Sequence, residues 1–312
     1  PPAPARPRRV LVVGAGFTGS EVAWACRQRG LDVTVVERGP GPLAGALGAL
    51  GAEVAGRLQR NAGVDLRTSS EVVALSGDRG GRLRAATLGD GTELEVDVAV
   101  IALGAIRNTE WLAGAELAAG PLGVATDTGG RVFGINGVVT DDLFAAGDVA
   151  RYPHPLFDFQ FLSFEHWANA VVGGRVVGAN MVRQDQDRQA QLAVPTFWSL
   201  QFGVTIKTVG VPGLGDEVCV VQGDPAEHRF AAAYTAGGRI VGAVTFDHGR
   251  WLQRYRDLVA ERAPLPPPAP SAAGQVPAPA GFDHPEGLSH MPDIVITGHD
   301  PVHHAVVRRD LP

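Results

Sequence analysis

The sequence predicts an α/β protein in which a Rossmann-like dinucleotide-binding domain precedes a small α+β module. Its opening stretch, RVLVVGAGFTGSEVAWACRQRGLDVTVVER from Arg9, runs through an apolar segment, a glycine-rich turn, a helix-period segment and a second apolar segment. This order is typical of a βαβ unit. A further apolar run, ELEVDVAVIALGA, supplies another strand, and β-like runs recur between Pro195 and Glu261.

The elements after the βαβ unit follow from local patterns. The next predicted elements are a helix over 44–62 and short strands at 72–75 and 85–88, separated by glycine-rich turns. The run ELEVDVAVIALGA is predicted to be a fully buried central strand that ends at Gly104.

The second half of the chain is predicted in the same way. DDLFAAGDVA is interpreted as another buried strand ending at Gly147 and Asp148, and residues 164–181 as a helix. A boundary near Gln184 precedes the α+β module, which ends in the helix-like WLQRYRDLVAERA. From Pro264 onward, the segments PLPPPAP and PAPAG predict an extended, largely disordered tail.

Composition argues against several classes of function. With a net charge of −6, and 27 Lys and Arg against 33 Asp and Glu, the chain lacks the basic balance of a nucleic-acid-binding protein. No run of about 18 apolar residues predicts a membrane helix, and PPAPARPRR lacks a signal-peptide core, so the cytoplasm is the expected compartment. Cys26 and Cys219 lack the spacing of a disulfide framework or zinc site, and the histidines of GHDPVHHAV are expected at the surface, so no metal site is predicted.

The glycine-rich turn carries the clearest functional signal. Gly14, Gly16 and Gly19 form G-x-G-x-x-G directly after a strand and at the start of a helix, where they allow a tight turn, close approach of a pyrophosphate and helix–strand packing. Glu37 follows 18 residues after Gly19, at the end of the second strand, as expected for the acid that binds a ribose hydroxyl. The alternative is a purely structural turn. Glu37 favours NAD, while the neighbouring Arg38 leaves NADP possible.

Several segments also resemble one family, in the family's order. They are GAGFTGSE, VTVVERGPGPL, IALGAIRNTEWL, AAGDVARYPHP, SFEHWANA and PTFWSLQFGVTIKTVG. On these segments the chain resembles the FAD-dependent ferredoxin, rubredoxin and putidaredoxin reductases. These are built like glutathione reductase, with two nucleotide domains and a C-terminal domain. The resemblance covers about residues 8–260.

The resemblance implies a flavin site within residues 147–167. Asp148 would bind the ribityl chain of FAD, with Gly147 giving it room. Glu165, His166 and Trp167 would line the isoalloxazine pocket. A solvated turn aspartate is the alternative reading of Asp148, and core packing is the alternative reading of the tryptophan.

The resemblance also implies roles around the nicotinamide. Glu21 would face the nicotinamide and flavin and orient the carboxamide, with an acid that stabilises the helix N-terminus as the alternative. Phe17 would lie near the nicotinamide, Gly104 by the cofactor, and Trp198 either against the flavin or in the supporting core. Leu200 stands where the family usually has an aspartate, so the polar contacts of that segment are in doubt.

The domain limits combine this resemblance with the composition of the chain. They are 1–120 for the NAD(P)-binding domain, 121–190 for the C-terminal part of the FAD-binding domain, 191–262 for the C-terminal reductase domain and 263–312 for the tail. The family begins with an FAD-binding glycine motif about a hundred residues before the NAD motif, and this chain begins almost at the NAD motif. The FAD-adenylate module is therefore expected to be absent.

These observations predict an NAD(P)H-dependent flavoprotein reductase that uses FAD and passes electrons to a ferredoxin-like iron–sulfur protein. Two alternatives stay open. One is a non-catalytic NAD-binding remnant or partner subunit, and the other is a flavin-dependent reductase of a small organic substrate on the same scaffold.

Overall fold

A computed structural model describes residues 8–265 and three short strands beyond them. The described chain forms two compact units, the first mainly from residues 8–104 and 198–255, and the second mainly from residues 105–197 and 256–263. The tail predicted from Pro264 lies almost entirely outside the described residues. Its described strands are β19 (Val276–Pro277), β20 (Ile294–Thr297) and β21 (Ala305–Arg308).

The first unit opens with the predicted βαβ arrangement. Its parallel sheet has the order β3-β2-β1-β7, with β1 paired to both β2 and β7. The α/β class and the Rossmann-like start of the chain are confirmed. The elements are β1 (Arg9–Val13), α1 (Phe17–Gln28), β2 (Asp32–Val36), α2 (Ala44–Asn61), β3 (Asp65–Arg67) and β7 (Val98–Ile101).

A separate antiparallel sheet interrupts this parallel sheet in sequence. It consists of β4 (Val72–Gly77), β5 (Leu83–Leu88) and β6 (Glu93–Glu95). The run ELEVDVAVIALGA is therefore divided between β6 and β7, and the prediction of one fully buried central strand is wrong. Because β7 lies at the edge of the parallel sheet, Val98 remains 38% exposed and Ile101 57% exposed.

The C-terminal module contributes a second sheet to the first unit. Its six strands have the order β14-β15-β18-β17-β16-β19, and the pairs joining β15, β18, β17 and β16 are antiparallel. The predicted small α+β module is confirmed. Its elements are β14 (Thr196–Gln201), β15 (Val204–Gly210), β16 (Glu217–Asp224), β17 (Arg229–Ala236), β18 (Arg239–Phe246) and α4 (Leu252–Ala260).

One hydrophobic core joins the βαβ unit to this sheet. Buried residues of α2, such as Leu47 and Val54, share a cluster with Ile206, Phe230 and others from the C-terminal strands. Burial of this apolar surface is the main stabilising contribution to such an arrangement.

A kink in α2 lies beside the same core. Helix α2 is interrupted at Gly48, whose φ of 64° lies in the left-handed region. The hydroxyl of Tyr234 donates a 2.6 Å hydrogen bond to the carbonyl of Leu47 at this break. A carbonyl released from the helical hydrogen-bond ladder needs such a partner when it is buried.

The second unit contains a mixed sheet of order β13-β12-β9-β8, a β10–β11 hairpin and one helix. Strand β11 is largely exposed, so the prediction of a buried strand in DDLFAAGDVA is wrong. The predicted helix over 164–181 begins three residues later. The elements are β8 (Ala119–Gly120), β9 (Gly123–Ala125), β10 (Arg131–Phe133), β11 (Val139–Phe144), β12 (Ala150–His154), β13 (Gln160–Leu162) and α3 (Trp167–Asn180).

His154, at the end of β12, is completely buried in this unit. Its ring lies among aromatic neighbours, with centroids 4.9 Å from Phe157 and 5.7 Å from Phe164. The Nδ1 atom accepts a 3.3 Å hydrogen bond from the Leu156 amide, and Nε2 lies 3.2 Å from the carbonyl of Ala193. Burial lowers the pKa of His154 to about 4, so the ring is neutral near pH 7.

Candidate functional site

The glycine turn between β1 and α1 has little space at two of its three glycines. A Cβ on Gly14 would lie 2.4 Å from the carbonyl oxygen of Ala102, and Gly14 has a φ of 97°. A Cβ on Gly19 would lie 2.0 Å from the carbonyl oxygen of Gly14. Gly16, by contrast, is exposed and faces open space. The first and third glycines are therefore required by backbone packing, while the second leaves the backbone open to a ligand.

Glu37 reaches this turn from the end of β2. One carboxylate oxygen accepts a 2.7 Å hydrogen bond from the Ala15 amide, and the other accepts a 2.6 Å bond from the Gly39 amide. The carboxylate is thus held beside the glycine turn, where the ribose of a bound dinucleotide is expected. Arg38 is exposed next to it.

Glu21 lies on α1, two residues after Gly19, and is exposed. The Ser199 hydroxyl of β14 donates a 2.5 Å hydrogen bond to Glu21 Oε1, and Gln201 Nε2 donates a 3.0 Å bond to Ser199 Oγ. Phe17, at the start of α1, is half-buried and packs against the shared core of the first unit. The C-terminal module therefore contacts the helix that follows the glycine turn.

Strand β14 alternates between a buried polar side and an exposed apolar side. Ser199 and Gln201 are 2% and 1% exposed, whereas Trp198 and Leu200 are each 57% exposed. Trp198 is therefore not a core residue. Leu200 lies on the exposed apolar side, and the polar side-chain contacts of this strand are made by Ser199 and Gln201 on its buried side.

Gly104 follows β7 and has a φ of 86° with open space where a side chain would lie. It is exposed at the carboxyl end of the parallel sheet. Ligands of open α/β sheets bind outside this end of the strands. The first unit thus brings Gly104 to the same end of the sheet as the glycine turn.

In the second unit, Gly147 and Asp148 form a turn between β11 and β12. Gly147 has a φ of 77°, and its missing Cβ would meet only the Cβ of Ala170 on α3, at 3.7 Å. Asp148 is exposed, and among the described residues its carboxylate makes no hydrogen bond. The turn therefore presents a carboxylate beside the N-terminal part of α3.

Arg107 ties this turn to the segment before α3. Its Nε donates a 3.1 Å hydrogen bond to the main-chain carbonyl of Asp148, and its Nη2 donates a 3.1 Å bond to Ser163 Oγ. The same nitrogen forms an ion pair with Glu165. Three segments that are distant in sequence are thus joined by one guanidinium group.

His166 lies at the centre of this arrangement. Its ring stacks on Phe197 with centroids 4.6 Å apart and an interplanar angle of 18°. Burial lowers the pKa of His166, and the nearby carboxylates of Asp148 and Glu165 oppose that shift. The next residue, Trp167, is 74% exposed and so is not part of the core.

The predicted site residues therefore divide between the two units. The first unit contains Gly14, Gly16, Phe17, Gly19, Glu21, Glu37, Arg38, Gly104 and Trp198, and the second contains Gly147, Asp148, Glu165, His166 and Trp167.

Among the described residues, no group of three or more His, Cys, Asp or Glu side chains could hold a metal ion. The histidines of GHDPVHHAV lie outside the described residues. No helix of the described chain has the length and apolar character to cross a membrane.

Comparison with known protein families shows which family the chain belongs to. Residues 2–174, more than half of the 312-residue chain, match the family described as pyridine nucleotide-disulphide oxidoreductase. The chain belongs to this family. Residues 196–274 match a second family, described as reductase C-terminal. The resemblance found in the sequence is confirmed.

Individual curated proteins are also similar along most of the chain. The ferredoxin–NAD(+) reductase component of an anthranilate 1,2-dioxygenase system from Burkholderia cepacia is 34% identical over 84% of this chain and 61% of its own length. The probable ferredoxin reductase CtmF of Castellaniella defragrans is 31% identical over 77% of this chain and 56% of its own length. The chain therefore spans less than two thirds of these relatives.

A solved structure gives the same picture. A crystal structure of a covalent putidaredoxin reductase–putidaredoxin complex matches with a TM-score of 0.74 and 25% identity, over 83% of this chain and 60% of the matched chain. The fold of this chain thus matches that of about three fifths of a reductase chain.

Sequence reasoning missed Arg107, Ser199 and Gln201. Arg107 lies in IALGAIRNTEWL, a segment in which only the glycine was singled out. Ser199 and Gln201 alternate with two apolar residues, a pattern that normally predicts an apolar buried face. The one sequence signal for Ser199 and Gln201 was their position on either side of Leu200, which replaces the family's usual aspartate.

Proposed function

We propose that this chain forms the NAD-binding part and a portion of the flavin-binding part of an NADH-dependent reductase that delivers electrons to a ferredoxin-like iron–sulfur protein. The observation that carries this proposal is that one chain contains both an open glycine turn with Glu37 beside it and a separate Gly147–Asp148 turn tied to the Glu165 segment by Arg107. The names of the two ferredoxin reductase relatives support the same assignment.

The first unit would hold NAD. The pyrophosphate would lie against Gly16, whose side-chain position is open, at the positive end of α1. Glu37 would bind the adenosine ribose, while Glu21, Phe17 and Gly104 would surround the nicotinamide. NADP stays possible through Arg38.

The second unit would hold the flavin half of FAD. The Asp148 carboxylate can accept hydrogen bonds from the ribityl hydroxyls, and the left-handed turn at Gly147 leaves it exposed for that contact. Glu165, His166 and Trp167 of this unit would line the isoalloxazine ring. When bound, the two cofactors supply the redox chemistry, and these residues supply alignment and electrostatics.

The two cysteines support an acceptor outside the chain. Cys26 and Cys219, the only cysteines in the sequence, are both free, and Cys219 is buried with a pKa raised by that burial. They provide no dithiol to receive electrons. A docked protein is therefore the proposed acceptor, and free thiols fit the cytoplasm as the proposed compartment. The sequence-based domain limits at 120, 190 and 262 stay predictions.

Glu37 is expected to make NADH bind more tightly than NADPH. Repulsion between its carboxylate and a 2′-phosphate in a partly dry site is expected to cost at least about 1 kcal/mol, or about fivefold in affinity. Isothermal titration of both nucleotides measures the ratio directly. Glu37→Gln is expected to reduce the preference. Equal affinities in the unaltered protein, or a preference for NADPH, would show that Arg38 governs the site.

Electron transfer is expected to depend on Asp148 and to be independent of the cysteines. The chain is assayed with added FAD and the N-terminal FAD module of a relative, and NADH-driven reduction of a ferredoxin is compared with reduction of oxidised glutathione. Ferredoxin reduction is expected in the wild type, lost in Asp148→Ala through loss of flavin, and retained in Cys26→Ser and Cys219→Ser.

Asp141→Ala is the matched control, because Asp141 is an exposed aspartate on the neighbouring strand β11. It is expected to retain flavin and ferredoxin reduction. Faster reduction of glutathione, or loss of activity in a cysteine variant, would contradict the proposal. Nucleotide binding without any electron transfer would instead identify a non-catalytic NAD-binding subunit.

A further inference from the structure

Strand β14 presents two buried polar side chains to the helix that follows the glycine turn. Ser199 and Gln201 are almost fully buried, and they form a chain of hydrogen bonds that ends on the exposed residue Glu21. The donor–acceptor distances are 3.0 Å from Gln201 to Ser199 and 2.5 Å from Ser199 to Glu21. Breaking these bonds would leave a buried hydroxyl and a buried amide unpaired, which is costly. The hydrogen bonds therefore hold the two side chains in place.

The packing around these residues also fixes where β14 lies against α1. Trp24, less than one turn beyond Glu21 on α1, packs on Phe202, the residue directly after β14, with ring centroids 5.5 Å apart. The hydrogen bond from Ser199 to Glu21 is therefore made between two elements that are already in contact. A bond from a neutral hydroxyl to a carboxylate is also stronger than one between neutral groups.

The Ser199 bond uses only one oxygen of Glu21. Within the described residues, no hydrogen bond is made to the other oxygen, Oε2, and the side chain stands near the start of α1, two residues after Gly19. A free glutamate side chain samples many rotamers, and ordering it costs up to about 2 kcal/mol. In this protein that ordering is already achieved before a ligand binds.

We propose that Ser199, supported by Gln201, is a positioning residue that holds Glu21 ready to accept a hydrogen bond from the carboxamide N–H of a bound nicotinamide. The inference rests on the proposed NAD site. The carboxamide donates through its NH2 group, and a carboxylate oxygen is its natural acceptor. A strand of the C-terminal module thereby becomes part of nicotinamide recognition.

A purely structural role predicts something different. If Ser199 only tied β14 to α1, its removal would disturb the whole nucleotide site, and every ligand of the glycine turn would bind less well. A positioning role affects only ligands that carry a nicotinamide. ADP-ribose shares the adenosine, pyrophosphate and second ribose of NADH but has no nicotinamide, so it separates the two roles.

The experiment titrates NADH and ADP-ribose separately into the wild type and into Ser199→Ala. We expect Ser199→Ala to weaken NADH binding by about three- to tenfold, the effect of losing one net hydrogen bond, and to leave ADP-ribose binding unchanged. Ser199→Thr keeps the hydroxyl and is expected to retain most of the NADH affinity. Ser76→Ala, on the exposed strand β4, is the matched control and is expected to match the wild type.

A double variant completes the test. Because Ser199 acts through Glu21, the Ser199→Ala change is expected to have no further effect on NADH binding in a Glu21→Ala background. Equal losses for NADH and ADP-ribose in Ser199→Ala, or additive losses in the double variant, would overturn the inference and leave the NAD site intact. A wild type that binds neither ligand would overturn the proposed function together with this inference.

Discussion

Replacement of Gly19 by alanine is expected to destabilise the protein by at least about 2 kcal/mol and to lower its affinity for NADH by more than tenfold. The added Cβ on α1 would lie 2.0 Å from the carbonyl oxygen of Gly14, a backbone atom of the turn before the helix. No flexible side chain can move aside, so α1 must shift away from β1. Urea unfolding and NADH titration measure the two effects.

The same change at Gly16 is expected to separate binding from stability. Its Cβ would meet nothing within 4 Å, so Gly16→Ala is expected to keep the wild-type stability within about 0.5 kcal/mol. Binding of NADH is nevertheless expected to weaken, because the methyl group occupies the space proposed for the pyrophosphate. Gly45→Ala, an exposed glycine of α2 with open space around it, is the control for both measurements. Wild-type stability in Gly19→Ala would refute this account of the turn.

The stability of the protein is expected to fall between pH 6.5 and pH 4 because of His154. The ring has a pKa of about 4 in the folded protein, against an ordinary value of 6.5 when unfolded. Between these values the unfolded chain binds a proton that the folded chain excludes, so acid favours unfolding. The full difference corresponds to a loss of about 3 kcal/mol as the pH falls through this range, with no further loss from this group below pH 4.

Urea unfolding curves at pH 7, 5 and 4 test this expectation. His154→Gln can still pair with the carbonyl of Ala193, and it removes the titrating group. The variant is expected to be less stable than the wild type at pH 7, and the difference is expected to shrink as the pH falls to 4. Carboxylates titrate in both proteins, so their contribution cancels in this comparison. His228→Gln, at a half-buried position directly before β17, is the matched control. Parallel pH profiles for the wild type and His154→Gln would exclude His154 as the cause.

The parts of the fold that were predicted correctly are those encoded locally. The βαβ unit was predictable because its glycine spacing, helix period and apolar strands lie within about 30 consecutive residues. Helix α2 was placed almost to the residue for the same reason. The burial of β7 and β11 was not predictable, because an apolar run does not show whether its strand will lie at the centre or at the edge of a sheet.

The site shows the same division. Gly14, Gly19 and Glu37 stand in one short motif and could be named from spacing alone. Arg107 contacts groups 41 to 58 residues away, and Ser199 contacts a residue 178 positions away. Contacts at such separations depend on how the elements pack, which a single sequence does not reveal. The exposure of Trp167 and Trp198 was likewise decided by tertiary structure, against the usual preference of tryptophan for partial burial.

The contact between Tyr234 and the kinked helix α2 determines which chimaeras of this protein with its relatives are expected to fold. Sequence families divide the chain between residues 174 and 196, yet the core of the first unit draws on both sides of that division. A chimaera that takes its C-terminal module from a relative also replaces the C-terminal residues of the core that α2 shares, including the donor to the Leu47 carbonyl. We therefore expect α2 and the C-terminal strands to be exchangeable between relatives only when they are exchanged together. Exchanges that carry α2 together with the C-terminal strands would preserve folding better than exchanges at the family boundary.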